Sequence, residues 1–293
     1  MLTAMSMTAS ILKLRIGSFV ALAALVGVLT AGGAMGWVET VVFTIAVLGA
    51  SGAAGAFNHY YERDTDRLMA RTFNRPFASK TLKAGAIWPV TFAALLAGSL
   101  FMGWSVGGTL ATVLVFLGAA TYAFVYTVWL KRRSVWNVVI GGAAGSFALL
   151  AGAAAAAPDF GPVIGPVPIF LAASLFLWTP PHFWALAAAK SEDYRRAGVP
   201  MLPVVTDHSV WGPVIFIHVL FLVLLSLGPL FYGLGPVYGI CAVIGGGNFL
   251  IKSWLLMRED NRKTAMATFF ASLLQFALLG LGVFADRAVA WAF

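Results

Sequence analysis

Nine runs of roughly 20 apolar residues, separated by short charged connections, constrain this chain more than any other feature. They lie near 16–34, 38–57, 87–106, 109–129, 137–157, 163–189, 211–230, 236–256 and 266–285. A helix rising about 1.5 Å per residue needs that length to cross a hydrocarbon core of about 30 Å. Inside lipid every backbone N–H and C=O must be satisfied within its own segment, so the runs are expected to be helices. The expected fold is therefore an all-α, polytopic membrane protein. Its nine transmembrane helices would form a single domain spanning 1–293. Composition points the same way. Hydrophobic residues make up 60% of the chain, against roughly 45–50% in soluble domains. The first run follows Lys13 and Arg15 and exceeds the roughly 7–15 apolar residues of a signal peptide, so it is read as a retained span. Small-residue stretches such as Gly141-Gly142-Ala143-Ala144-Gly145 would let helix backbones approach closely. The single cysteine, Cys241, excludes a disulfide framework.

Charge alternates from one connection to the next. The N-terminus and the connections after the second, fourth, sixth and eighth runs, with the adjoining end of the eighth run, hold 18 of the 19 basic residues; only Arg287 falls on the other side. The positive-inside rule places these segments in the cytoplasm, the face expected in a bacterial inner membrane. The opposite connections carry Glu39 and Asp159 but no Lys or Arg. The net charge of +8 then reads as topology and attraction for anionic head groups or substrates, with no nucleic acid implied. Eight of the 11 acidic residues also fall on the basic side. The positive-inside rule does not ask for that; a chemical site on that face does.

The densest cluster is 58–76. Asn58, Glu62 and Asp66 recur every four residues, so a continuing helix would stack their oxygens on one face. Oxygen-only ligands suit Mg²⁺, which binds one or two carboxylates together with waters and substrate phosphates. Arg71 and Arg75, also four apart, suit phosphate oxygens. A Mg²⁺-bridged diphosphate satisfies both sets; a salt-bridged loop that only fixes topology is the plainer reading. A second cluster, Lys190, Glu192, Asp193, Arg195 and Arg196, leaves the sixth run on the same face. Two such clusters suggest two half-sites facing one cavity. His182 lies about two turns before Lys190, and there a haem ligand, a base and a packing donor all remain open. After the fourth run, Tyr126, Lys131 and Arg132 read as interface anchors or as groups for diphosphate or haem propionates.

At these residues the chain resembles the intramembrane UbiA-type prenyltransferases, and within them the protohaem IX farnesyltransferase (haem O synthase) branch. The resemblance rests on three blocks. The first is Asn58-x3-Glu62-Arg63-Asp64-x-Asp66-x4-Arg71-Thr72-x2-Arg75-Pro76. The second is Tyr126-Thr-x-x-Leu-Lys-Arg-Arg-x3-Asn137-x-Val-Ile-Gly-Gly-Ala-Ala-Gly145. The third is Pro181-His-Phe-Trp-Ala-Leu-x5-Glu-Asp-Tyr-Arg-Arg-Ala-Gly-Val-Pro-Met-Leu-Pro203. It implies nine helices around a central cavity open to lipid, farnesyl diphosphate and haem B as substrates, Mg²⁺ as cofactor, and haem O and diphosphate as products. Haem A synthase or terminal-oxidase assembly proteins would be partners. It also implies that Asn58, Glu62 and Asp66 hold Mg²⁺ and diphosphate with Arg71 and Arg75. Lys190 and Asp193 would form the second half-site, with Asp193 a further metal ligand, and His182 would be functional. The chain departs from the wider pattern at Glu62, where Asp is usual, and at the second site, which lacks two Asp four apart. A quinone-precursor prenyltransferase is the nearest alternative function. A transporter is a more distant one, since transporters place ionisable residues near mid-membrane. A haem-holding scaffold would leave both acidic clusters unexplained.

Overall fold

A computed structural model describes residues 4–32, 35–157 and 164–292. Asp159 and the edges of the first and sixth expected spans lie outside the described residues. Among those described, all regular structure is helical. The elements are α1 (Ala4–Ile11), α2 (Leu14–Thr30), α3 (Trp37–Tyr61), α4 (Arg63–Asp66), α5 (Ile87–Ala120), α6 (Asn137–Ala155), α7 (Pro166–Ala189), α8 (Ser191–Arg196), α9 (Leu202–Val205), α10 (His208–Ser226), α11 (Pro236–Arg258) and α12 (Arg262–Ala292). A π-helical segment, Thr121–Leu130, continues α5, and a 3-10 turn, Gly228–Tyr232, follows α10.

Seven of these helices are long and apolar enough to cross a membrane, or eight if the bent pair α1–α2 counts as one span. That differs from the expected nine, and the difference lies in the 44-residue stretch Ile87–Leu130. As one straight rod it would reach about 66 Å, twice the hydrocarbon thickness. It is not straight. Gly108 adopts φ 74 and ψ −175, a conformation open to glycine. A Cβ on Gly103 would lie 4.0 Å from Thr112 Oγ1, whereas nine residues of straight helix span about 13.5 Å. Leu96 also packs beside Ala119 and Ala123. The chain therefore doubles back at Gly108, between the limbs expected at 87–106 and 109–129.

The helices pack in sequence order around the bundle. α3 lies against α2 and α5, α6 against α5 and α7, α10 against α7 and α11, and α12 closes the circuit on α11, α7 and α2. α2 crosses α6 at a glycine contact: a Cβ on Gly27 would strike the Leu149 carbonyl, and one on Gly152 the Ala24 carbonyl. Lipid tails are as apolar as leucine, so close backbone packing of this kind is what holds membrane helices together. Trp184, Tyr238, Phe43 and Phe249 are buried inside, while Trp37, Phe101, Ile240 and Phe270 project outward. The apolar outer wall is that of an integral membrane protein.

Candidate active site

The helical backbone continues past the end of α3. Glu62 N donates to the Asn58 carbonyl at 2.9 Å and Asp66 N to the Glu62 carbonyl at 2.8 Å. The Asn58–Glu62–Asp66 ladder expected from spacing therefore exists. All three side chains are buried, at 1, 2 and 3% exposure. Two carboxylates so enclosed need partners, and cations from distant segments supply them. Lys131 Nζ donates to Glu62 Oε2 at 2.5 Å. Arg75 Nη1 donates to Asp66 Oδ1 and Oδ2 at 3.0 and 2.8 Å. Lys13 Nζ donates to Asn58 Oδ1. Asn58 Nδ2 then donates to Glu62 Oε2 at 2.8 Å and to Thr127 Oγ1 at 2.9 Å. Asp64 points elsewhere, with a side chain 75% exposed beside Arg63.

Lys131 reaches this ladder because of the π-helical winding before it. Nine residues separate Tyr122 from Lys131. In an α-helix that offset is about 2.5 turns and sets them on opposite faces. At about 4.4 residues per turn, the winding of a helix bonded i→i+5, it is close to two whole turns. Both side chains accordingly line one chamber, and Tyr122 stacks on Tyr126 at 5.6 Å between ring centroids. The glycine-rich start of α6 makes room: a Cβ on Gly141 would lie 2.8 Å from Tyr126 Cδ2, and one on Gly142 2.8 Å from Thr179 Cβ.

Lys13, read from sequence only as a topology charge, is a site residue that sequence reasoning missed. It occupies the corner between α1 and α2 in the left-handed region, φ 49 and ψ 43. Gly55 seats that corner, since its Cβ would lie 3.4 Å from Lys13 Cβ. Besides Asn58, Lys13 Nζ donates to the Tyr122 hydroxyl at 3.0 Å. Tyr122 and Tyr194 were likewise not singled out. No spacing in the sequence links residues 13, 58 and 122.

Two spaces meet here. A charged chamber, partly open to solvent, is lined by Asn58, Asp66, Arg71, Arg75, Lys131 and Tyr126, with Thr179 and Phe183 of α7. A narrow apolar cleft runs from it between α2, α3, α6 and the second limb of the α5 hairpin, along Val20, Val47, Ala50, Ala54, Val115 and Ala148. Lys13, Ile16 and Tyr122 line both.

The second cluster is arranged differently. Asp193 is buried and accepts from Arg196 Nη2 at 2.7 Å. Glu192 is exposed and accepts from Arg195 Nη1 at 2.8 Å. The link to the first cluster is Tyr194, whose hydroxyl accepts from Arg71 Nη2 at 3.2 Å. Lys190 caps the end of α7. Neither Lys190 nor Asp193 lines the chamber, and Arg132 is exposed outside it. His182 is also not brought to the chamber. Its ring stacks between Trp178 and Phe269, at 4.2 and 4.6 Å, and Nδ1 lies 2.7 Å from Ser272 Oγ. Ser272 Oγ already donates to the Phe269 carbonyl, so His182 Nδ1–H is the donor to Ser272. The adjoining Pro180 and Pro181 give up two helical N–H donors, which loosens α7 where it passes the chamber.

Among the described residues no group of three or more His, Cys, Asp or Glu stands ready to hold a metal ion. The donors at hand are two buried carboxylates and an amide oxygen, all hard oxygen ligands. They fit Mg²⁺, which takes part of its shell from waters and phosphates. Burial alone would raise the Glu62 carboxyl above its ordinary value of 4.5, but the charge and hydrogen bond of Lys131 outweigh it, so the net shift is downward. Arg71, Arg75 and Lys131 already outnumber Glu62 and Asp66, and Lys13 adds a further basic donor, so the chamber is positive on balance. That field favours a polyanion.

Known proteins fit this arrangement. Residues 19–276 match the UbiA prenyltransferase family. Protoheme IX farnesyltransferase 2 of Paramagnetospirillum magneticum is 49% identical over 96% of this chain and 97% of its own. Protoheme IX farnesyltransferase of Granulibacter bethesdensis is 35% identical over 96% and 90%. Among solved structures, a UbiA homolog from Aeropyrum pernix covers 95% of this chain and 98% of its own, with a TM-score of 0.72 at 20% identity. One from Archaeoglobus fulgidus bound to GPP and Mg²⁺ covers 96% and 100%, with 0.66 at 15%. With a family match across most of its length and near-half identity to one relative, the chain belongs to the UbiA prenyltransferase family.

Proposed function

We propose that this protein transfers the farnesyl group of farnesyl diphosphate to a vinyl group of haem B, with addition of water, giving haem O and diphosphate. The observation that carries this reading is the 49% identity, over nearly the whole of both chains, to a protein named protoheme IX farnesyltransferase. The site supports it: a cationic chamber suits the diphosphate, and the adjoining apolar cleft suits a farnesyl chain.

Lys13, Arg71, Arg75 and Lys131 take the diphosphate oxygens, and Asn58, Glu62 and Asp66 hold Mg²⁺. The bound Mg²⁺ supplies charge neutralisation for a leaving diphosphate. The cations Arg75 and Lys131 keep the buried carboxylates Asp66 and Glu62 paired and hold them in place on the chamber side of the bundle. The apolar cleft excludes water from the farnesyl chain while its bond to oxygen breaks. Asp193 and Lys190 form a second half-site that approaches through Tyr194 and Arg71. Arg132, exposed next to Lys131, is offered to a haem propionate outside the chamber. His182 pins α7 to α12, which sets Thr179 and Phe183 on the chamber wall; replacing it with Ala should alter bound-haem spectra and turnover together. The enzyme sits in the bacterial inner membrane with this chamber on the cytoplasmic side, and hands haem O to haem A synthase or terminal-oxidase assembly proteins.

The test is incubation of the purified protein with haem B, farnesyl diphosphate and Mg²⁺, followed by mass analysis of extracted haem. A haem product heavier by a farnesyl group and one hydroxyl group is expected. Unchanged haem B, with prenylation of a hydroxybenzoate instead, would overturn the reading.

A further inference from the structure

The geometry points to Tyr122 as a catalytic residue whose ring face stabilises the allylic cation formed when farnesyl diphosphate ionises. This inference rests on the proposed activity. A prenyl diphosphate has a polar head and an apolar tail joined by a single C1–O bond. With the head in the chamber and the tail in the cleft, that bond must lie where the two spaces meet. Lys13, Ile16 and Tyr122 are the residues that line both. Ile16 offers only bulk. Lys13 offers a cation for the departing oxygen. Tyr122 offers the one aromatic face at the junction.

Lys13 Nζ donates to the hydroxyl of that ring at 3.0 Å, so it lies off the ring's edge and does not occupy the face. Lys13 Nζ stands 5.5 Å from the Tyr122 ring centroid, and Lys131 Nζ stands 5.6 Å from that of the stacked Tyr126. A cation over an aromatic face is held more strongly when desolvated, and Tyr122 sits where the charged chamber gives way to apolar walls. Tyr126 lines the chamber but not the cleft, so it stands on the head-group side of the junction. The step balances without another reactant. The C1–O bond breaks with both electrons leaving on the diphosphate oxygen, where Lys13 meets the new charge. The C1–C3 allyl unit carries the positive charge against the Tyr122 ring. The vinyl electrons of haem then form the new bond to C1, water adds its oxygen to the resulting carbocation, and its proton goes to diphosphate.

The experiment places phenylalanines carrying zero to three ring fluorines at position 122, alongside Tyr122→Leu, in the full chain with Mg²⁺. Fluorine weakens the ring's negative face and scarcely changes its size. Ionisation is read as scrambling of ¹⁸O from the bridging to the non-bridging position of labelled farnesyl diphosphate. Haem O formation is followed separately. Across the fluorinated series the ionisation rate should fall stepwise by about 30-fold, with farnesyl diphosphate KM within about threefold. Tyr122→Leu should fall at or below the trifluoro variant. The same fluorinated series at Tyr126 should stay nearly flat. A flat series at 122, or a change in KM alone, overturns the assignment. Because scrambling needs no acceptor, a wild type that ionises farnesyl diphosphate but makes no haem O would fail the haem reading while still deciding the role of Tyr122.

Discussion

The clusters that follow α3 and α7 use the same residue types in opposite ways. At α8 each carboxylate is satisfied locally, Glu192 by Arg195 and Asp193 by Arg196, both three residues on. Such pairs need one helical turn and are worth about 0.2–0.5 kcal/mol. At the end of α3 the partners come from far away: Lys131 is 69 residues from Glu62, and Lys13 is 45 from Asn58. Those pairs exist only when the bundle is folded, and they enclose carboxylates 2–3% exposed. A locally paired surface cluster can be lost cheaply. A buried set held by distant cations ties the fold to the site, and its cations can be turned from carboxylate to ligand.

The largest contrast should appear in turnover. Asp66→Asn removes a charge that Arg75 grips through both oxygens and weakens the Mg²⁺ site, so haem O formation should fall on the order of a thousand-fold. Asp193→Asn should cost about tenfold, since Asp193 stands off the chamber. Equal losses in a side-by-side assay would mean that the second half-site is as engaged as the first.

Stability should separate the clusters next. Lys131→Met leaves Glu62 buried without its cation, which should cost about 3–5 kcal/mol. Adding Glu62→Gln should recover most of that. Arg196→Met, at a side chain 55% exposed, should cost about 1 kcal/mol or less. Thermal unfolding of Lys131→Met, Glu62→Gln, the double variant and Arg196→Met beside wild type in the same detergent measures the contrast; an additive double variant would show that Glu62 and Lys131 do not depend on each other.

Acid should act on the first cluster by the same route. The Glu62 carboxyl is held below its ordinary 4.5, so folding favours its ionised form. That stabilisation is fully present above pH 4.5 and is lost as pH falls through the lowered value. Wild type should lose stability through that acid range more steeply than Glu62→Gln. Parallel acid limbs for the two proteins would remove Glu62 as a source of the pH dependence.

What the sequence disclosed follows from which interactions are local. Spans were legible because hydropathy is a local property. The Asn58–Glu62–Asp66 ladder was legible because a four-residue repeat needs only a continuing helix. The two expected limbs at 87–106 and 109–129 are joined in a hairpin through a single glycine conformation at Gly108. Lys13 and Tyr122 were hidden for a physical reason. One depends on a left-handed corner, the other on a change from α to π winding that turns residues nine apart onto one face. Pattern reading assumes a fixed period, so a site built on a change of period is invisible to it. His182 stood out as a motif residue, but only tertiary packing on Ser272 and Phe269 decides which way its ring faces.

The smallest expected effects test whether burial, rather than acidity as such, marks the site. Asp64 and Glu192 each lie two residues or fewer from a buried carboxylate, yet their side chains are 75 and 65% exposed. Asp64 lies 4.0 Å from Arg63, and Glu192 is paired to arginines that are themselves largely in solvent. Exposed pairs of this kind contribute about 0–1 kcal/mol. Asp64→Asn and Glu192→Gln should therefore leave turnover within about twofold and stability within about 0.5 kcal/mol. Raising salt should erase even that difference, because exposed charges are screened while Glu62 and Asp66 are not. A tenfold loss in Asp64→Asn, persisting at high salt, would mean that Asp64 turns inward when diphosphate and Mg²⁺ bind, and that the first cluster closes around its ligand with three carboxylates instead of two.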